Sequence, residues 1–325
     1  MPAGFSPAPL DDPPIDVALL GRLCDATLSW PLPGSGRTLE RFDHLVALAR
    51  RDVVLGRLVE AHADAVAITA ELGGDPVAPG ERWGVWAAGP AESVTAAPAG
   101  RGWRLSGTKQ WCSGATLVDH ALVDASTPDG QLLFSVRLSD PGVHVGHRVW
   151  AGPGMRRADT RSVCFEQARG VAVGAPDAYL TRPGFWAGAV AVASCWHGGT
   201  VAVAQPLLDR CRSDPEVLLA VHLGAIHVSL SQNLWALRAA AATIDEFPGG
   251  DHQACALGVR STIERNSGEV VDRVGRALGP GPLAHDRHHA VTVADLAVYV
   301  RQHHAERDLA EIGRRVAAEA DPWAT

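Results

Sequence analysis

The sequence predicts an α+β chain in which a helical N-terminal region and a C-terminal helical bundle flank a central antiparallel β domain. Three observations carry this. Apolar residues recur at helical spacing up to about residue 72, short turn-bounded runs replace them from residue 82 to 173, and the helical period returns after Pro183.

Taken in order, the first ten residues are rich in Pro and Ala and read as an arm. Helices are expected at 15–27, 40–55 and 57–72, the last placing Leu58, Ala61, Ala65 and Ile68 on one face and stopping at Gly73-Gly74. The loop from Gly73 to Arg82, with its prolines and glycines, marks a boundary near residue 80. Runs rich in Trp, Val and Leu, broken by GRG, TPDG and SDPG, then read as strands and tight turns. No G-x-G-x-x-G lies between a strand and a helix, which argues against a parallel nucleotide-binding sheet. Further helices are expected at 185–210, 214–245, 253–278, 287–299 and 302–320. Asp214 is the expected N-cap of the second, Pro215 its first residue, and Pro248-Gly249-Gly250 its stop. The chain divides on this basis into 1–80, 81–175 and 176–325.

Bulk properties narrow the partners. With 325 residues, 46% hydrophobic and 20% charged, the chain has enough apolar material for a large core. A net charge of -7 offers no general attraction for nucleic acid or an anionic bilayer. Lys109 is the single lysine, so arginine carries the positive charge. Six cysteines stand far apart without a C-x-x-C pair, which reads as reduced thiols and a cytoplasmic location. The N-terminus lacks the basic start and apolar run of a secretion signal. From Pro183 to Leu208 no acidic or basic residue occurs, but His197, Gln205, Pro206 and several glycines favour a buried bundle helix over a membrane span, and no second such segment is expected.

The segment Gly102-Trp103-Arg104-Leu105-Ser106-Gly107-Thr108-Lys109-Gln110-Trp111-Cys112-Ser113-Gly114 resembles the acyl-CoA dehydrogenase signature, in which G-x-W-x-L-x-G-x-K leads into a W-x-T or W-x-S strand. Val118 to Val123 resembles the strand that follows, and Trp150-Ala151-Gly152-Pro153-Gly154-Met155-Arg156 the stretch before the family's second helical domain. The resemblance implies an acyl-CoA dehydrogenase-like fold with a shortened N-terminal region, bound FAD, and assembly into a homodimer or homotetramer through the C-terminal bundle. It also implies that Trp111 stands beside the isoalloxazine and that the Ser113 hydroxyl bonds the flavin near N5, where a protein tunes the ring electronically. Glu92 and Ser93 fall where the family has its T-E-x-x-x-G-S-D-like cofactor loop, here reduced to Ala87 to Thr95.

Two further departures bear on the chemistry. The R-x-x-F-G motif that holds the dinucleotide in the family is absent around Cys211 to Glu216. The family's catalytic glutamate is absent as well, the comparable stretch reading Pro282-Leu283-Ala284-His285-Asp286-Arg287-His288-His289-Ala290 and then Ala294-Asp295-Leu296. Asp295, with His289 second, is therefore the candidate proton acceptor, since a carboxylate in a closed pocket has its pKa raised by desolvation. A plainer reading puts His285 and His289 on one helix face in a salt-linked or capping surface. His285, His289, His303 and His304 show no H-E-x-x-H or similar spacing, so no metal is expected. The stretch from Tyr299 to Asp308 reads most simply as a solvated or interface face, with Arg301 available to an anionic group.

The resemblance thus implies a flavin-dependent oxidoreductase acting on an activated acyl group, such as a CoA or carrier-protein thioester, or on a related small metabolite. Two alternatives follow from the departures. One is a flavin-dependent monooxygenase of the same fold, which dispenses with the glutamate; the other is a non-catalytic protein of this fold serving as a structural or regulatory partner.

Overall fold

In the computed structural model, which describes residues 14–89, 93–100, 102–319 and 321, three helices precede the strands: α1 (Val17–Thr27), α2 (Thr38–Arg51) and α3 (Val53–Leu72). The break between α2 and α3 falls at Asp52, not at residue 56. Asp52 accepts hydrogen bonds from the Val54 and Leu55 amides and so caps α3. Gly56 lies inside α3, where a Cβ would sit 2.7 Å from the Ala49 Cβ, so glycine lets the two helices meet closely. Gly73, in the left-handed region at φ +71°, ends α3 as its sequence implies.

Among the described residues seven strands follow: β1 (Trp83–Trp86), β2 (Val94–Ala99), β3 (Gly102–Cys112), β4 (His120–Thr127), β5 (Gly130–Arg137), β6 (Val143–Val145) and β7 (Arg161–Val173). The pairings β4-β2-β3-β7-β5 close on themselves through β4–β5, with β1 added to β4 and β6 to β7. Most pairings are antiparallel as expected, but β1 and β2 run parallel to β4. The hairpin turns fix only sequential neighbours, and these two contacts are not sequential. Leu105, Phe134, Val163 and Phe165 fill the interior.

The remaining helices are α4 (Ala178–Thr181), α5 (Gly184–Ser213), α6 (Val217–Glu246), α7 (Gln253–Leu278), α8 (Gly281–His285), α9 (Arg287–Tyr299) and α10 (Glu306–Ala318). Helix α5 is the axis of the bundle. Gly198 presses on the Val46 carbonyl of α2, and Gly199 comes against Val53 and Leu296. The Asp214-Pro215 start moves to Glu216, because Asp214 instead ends α5 and pairs with Arg210 at 2.7 Å.

Among the described residues two helices, α5 and α6, are long and apolar enough to cross a membrane, whereas the sequence suggested one. In α5, 72% of the apolar window is buried, as befits a core helix; in α6 only 22% is. All six cysteines are free; Cys24, Cys112 and Cys195 are buried and the other three partly so.

Candidate functional site

One corner of the sheet is strained in a way that exposes a large side chain. Between Lys109 and Cys112 the β3–β7 register slips, so that Gln110 and Trp111 stand against Ser162 alone. Bulges of this kind re-aim a side chain. Trp111 adopts φ +63°, a conformation costly for a bulky residue, and the residue is 61% exposed. Its ring meets Trp150 edge-on, with centroids 6.1 Å apart and planes at 83°. The result is an exposed aromatic shelf at the sheet's end.

Ser113 sits two residues on. Its carbonyl accepts the Trp86 indole N–H at 2.9 Å, and its hydroxyl lies 3.0 Å from that of Thr160. One of these two hydroxyls donates to the other, leaving one hydrogen directed elsewhere. The turn behind them is rigid. Asp159 accepts the amide and hydroxyl of Thr116 at 3.0 and 2.6 Å and the Arg161 Nε at 2.8 Å. Burial acts to raise the Asp159 pKa, but hydrogen bonds from Thr116 and Arg161 outweigh it and hold the carboxyl below its usual range. Lys109, fully buried, is spent on an ion pair with Asp124 at 2.6 Å, so it supports the strand and not a ligand.

Ser93 immediately precedes β2, whose Val94 pairs with Gly107, and its buried hydroxyl has no hydrogen-bond partner among the described residues. Gly107, at φ +128°, has the Ser93 carbonyl where a Cβ would go, which locks the two strands together. Glu92, expected to join Ser93, lies outside the described residues.

The candidate proton acceptors occupy α9 but are not brought together. Asp295 is buried, and its Oδ1 accepts the Met155 amide at 2.5 Å. Its Oδ2 lies 3.7 Å from Arg157, which also makes a bidentate pair with Asp52 at 2.7 and 2.9 Å. The Trp150 indole N–H bonds the Gly154 carbonyl at 2.8 Å, and Gly154 lies against the Ala294 carbonyl with no space for a Cβ. Asp295 therefore closes a chain of contacts from Trp111 through Trp150 and the 150–156 loop. That gives it a positioning role, and both its oxygens are engaged in it.

His289 lies a turn and a half earlier on α9 and faces another way, into an open groove of about 680 Å³ shared with Arg50, Gln205, Asp209, Asp286 and His288. Burial holds its pKa below the ordinary histidine value, opposed by Asp286. His285 and His289 do not share a helix face, because Asp286 ends α8 and caps α9 through the His289 amide. Among the described residues no group of His, Cys, Asp or Glu could hold a metal.

The 299–308 stretch is a solvated face only in part: Arg301, Gln302, His304, Glu306 and Arg307 are exposed, but other members turn inward. Tyr299, His303 and Asp308 are buried, the His303 Nε2 lies 3.0 Å from the Ser261 hydroxyl, and Arg260 donates to the Gln302 carbonyl. Arg301 is paired with Glu264. Sequence reading also missed a buried pair in the helical core, Arg57 and Glu60 at 2.9 Å. Burial raises the Glu60 pKa against the opposing pull of Arg57. Thr160 was missed as well, since nothing near it in sequence reveals that it faces Ser113.

Residues 84–168 match the family model for the acyl-CoA dehydrogenase middle domain. No curated protein matches the chain in sequence. Among solved structures, dibenzothiophene monooxygenase (TdsC) from Paenibacillus sp. A11-2 is 18% identical, with 92% of this chain and 95% of that one covered and a TM-score of 0.72. FkbI, for biosynthesis of the methoxymalonyl extender unit of the polyketide FK520, is 16% identical over 94% of both chains, with a TM-score of 0.79. KijD3, solved in complex with dTDP, is 20% identical over 92% of this chain and 86% of its own, with a TM-score of 0.75.

Proposed function

Because this chain is a relative of the acyl-CoA dehydrogenases, with that family's middle domain between residues 84 and 168, we propose that it is a flavin-dependent oxidoreductase acting on a small metabolite. The observation that carries the proposal is the corner at Trp111. A bulky residue is held in a strained conformation with most of its surface exposed, two residues before a serine whose hydroxyl pairs with that of Thr160.

The residues fit a flat aromatic cofactor. Trp111 and Trp150 supply an apolar wall, and the Ser113–Thr160 pair a hydroxyl donor; on the neighbouring strand pair, Ser93 has a hydroxyl with no partner among the described residues. A flavin held here supplies the electron-accepting chemistry, and the chain orients it and tunes it by these contacts. We assign FAD from the family resemblance, although TdsC has been solved with FMN. The substrate class remains an activated acyl group, such as a CoA or carrier-protein thioester, or a related small metabolite, and the assembly a homodimer or homotetramer.

A second reading has a specific observation behind it. Both oxygens of Asp295, the carboxylate expected to act as base, are engaged in structural contacts among the described residues, which favours a monooxygenase of the same fold. TdsC is such an enzyme by name.

The experiment is reconstitution with FAD and with FMN in parallel, followed by anaerobic mixing of the coloured protein with candidate thioesters. Bleaching by a thioester alone identifies a dehydrogenase. Bleaching only by an external reductant, with product formed after oxygen is admitted, identifies the monooxygenase. A protein that takes up neither flavin overturns both and leaves the non-catalytic reading.

A further inference from the structure

Helix α10 is fastened to the bundle chiefly at its start, and Asp308 is its one buried member among the described residues. The chain enters the helix through Ala305, at φ +49° and ψ −117°, a conformation that a residue with a Cβ rarely adopts. Buried His303 holds it there, its Nδ1 accepting the Ala305 amide at 3.2 Å. A backbone amide can only donate, so Nδ1 carries no hydrogen and the neutral ring keeps its hydrogen on Nε2. Nε2 lies 3.0 Å from the Ser261 hydroxyl of α7 and 3.4 Å from the Asp308 carboxylate. Ser261 in turn donates to the Leu257 carbonyl at 2.8 Å, and Asp308 accepts the His304 amide at 3.1 Å.

Serine, histidine and aspartate meet here without forming a hydrolytic triad. A triad needs the carboxylate on one ring nitrogen and the serine on the other, whereas both face Nε2 and the serine hydrogen is committed to a carbonyl. The cluster is instead a closed set of hydrogen bonds that requires a neutral imidazole. A proton added at Nδ1 sets N–H against N–H and removes the side-chain contact that holds Ala305 in its strained backbone. We propose that His303 is an acid-sensitive latch: protonation of its Nδ1 releases Ala305 and frees α10 from α7.

The charged groups facing the ring are Arg260 and Glu264 from α7, His304 from its own turn and Asp308 from α10. Burial opposes the charged ring most. Asp308 and Glu264 favour it, Arg260 and His304 oppose it, and the balance holds the His303 pKa below the ordinary histidine value. A released ring in solvent titrates near 6.5 and binds the proton more tightly, so the latched form is lost as pH falls through about 6.5. Farther along α10, Arg315 bonds Asp251 at 3.1 Å and the Gln253 side chain. The Gln253 amide and Arg315 hold the Asp251 pKa below its usual range, so this second clasp keeps its charges while the latch titrates. It is partly exposed to water, and such pairs contribute little by themselves.

The test is hydrogen–deuterium exchange by mass spectrometry on the full chain at about pH 7.5 and 5.5, corrected for the intrinsic effect of pH, with α5 as internal reference. At pH 5.5 an ordinary histidine is protonated about tenfold over its neutral form, which bounds the effect. Protection of the α10 amides should fall about threefold to tenfold relative to α5. His303→Asn, whose Oδ1 accepts the Ala305 amide without titrating, should abolish that response while leaving His304 and its 3.5 Å contact with Asp308 in place. Ala305→Gly relieves the backbone and should raise protection of α10 at both pH values, a readout that stands even where the histidine variant fails to fold. A wild-type change below about twofold, a parallel loss across α5, or a full response in His303→Asn overturns the latch. An Ala305→Gly variant no better protected than wild type overturns it as well.

Discussion

Asp295 receives the Met155 amide on one oxygen and faces Arg157 with the other, so a residue that sequence position marks for proton transfer is built into the joint between α9 and the 150–156 loop. Asp295→Asn keeps an acceptor for Met155 but loses the charge. The variant should lose about 1.5–3 kcal/mol of stability in urea unfolding, the range for a hydrogen bond to a charged group. Unchanged stability together with abolished flavin reduction by substrate would return Asp295 to the role of base.

Trp111→Ala separates cofactor binding from folding. Because the indole is mostly exposed, its removal should change unfolding free energy by no more than about 0.5 kcal/mol, while flavin is lost on gel filtration. A folded variant that retains flavin with the wild-type spectrum would remove Trp111 from the site.

Lys109 and Asp124 form a buried ion pair in which burial raises the Asp124 pKa more than Lys109 lowers it. Removing one partner strands the other, so Lys109→Met should cost about 3–5 kcal/mol. Adding Asp124→Leu should recover most of that. Additive losses in the double variant would contradict the pairing.

Acid should unfold the protein through buried histidines. Burial lowers His62 and His197 from 6.5 to about 4, and the His62 Nδ1 accepts the Trp83 amide at 3.0 Å. For each, the unfolded chain binds the extra proton, so stability is lost as pH falls from 6.5 towards 4. At 1.36 kcal/mol per unit the loss is about 3 kcal/mol apiece. Glu60 acts oppositely: its folded pKa is raised from 4.5 to about 7, so its contribution is lost as pH rises through that window. Two histidines outweigh one glutamate, and net stability should fall on acidification. His62→Asn keeps an acceptor for Trp83 without titrating, and urea midpoints across pH 7 to 4 should flatten accordingly. A full acid limb in that variant would contradict the assignment.

Local signals were legible and distant ones were not. The helices at 253–278 and 287–299 appear at the bounds their periodicity implies, and Gly73 ends α3 as a left-handed cap should. The α2–α3 break and the Asp214 cap went astray: Asp52 caps α3 four residues before the expected break, and Asp214 ends α5 and pairs with Arg210 instead of starting α6. The W-x-S spacing marked Trp111 and Ser113, but the bulge that turns Trp111 outward depends on β7, fifty residues on. Asp295 is the clearest case. Its partner is 140 residues away in sequence, and no spacing around α9 announces it.

Arg157 grips Asp52 at the start of α3 and faces Asp295 in the middle of α9, while its own turn carries Met155. Three backbone amides hang on the two carboxylates: Val54 and Leu55 on Asp52, Met155 on Asp295. None of them can be exposed to solvent deuterium without disturbing the same arginine. Their protection against hydrogen exchange should therefore rise and fall together as one cooperative opening, with a common free energy, although they belong to segments far apart in the chain. Arg157→Ala should speed all three, and independent exchange rates would show that the segments open separately.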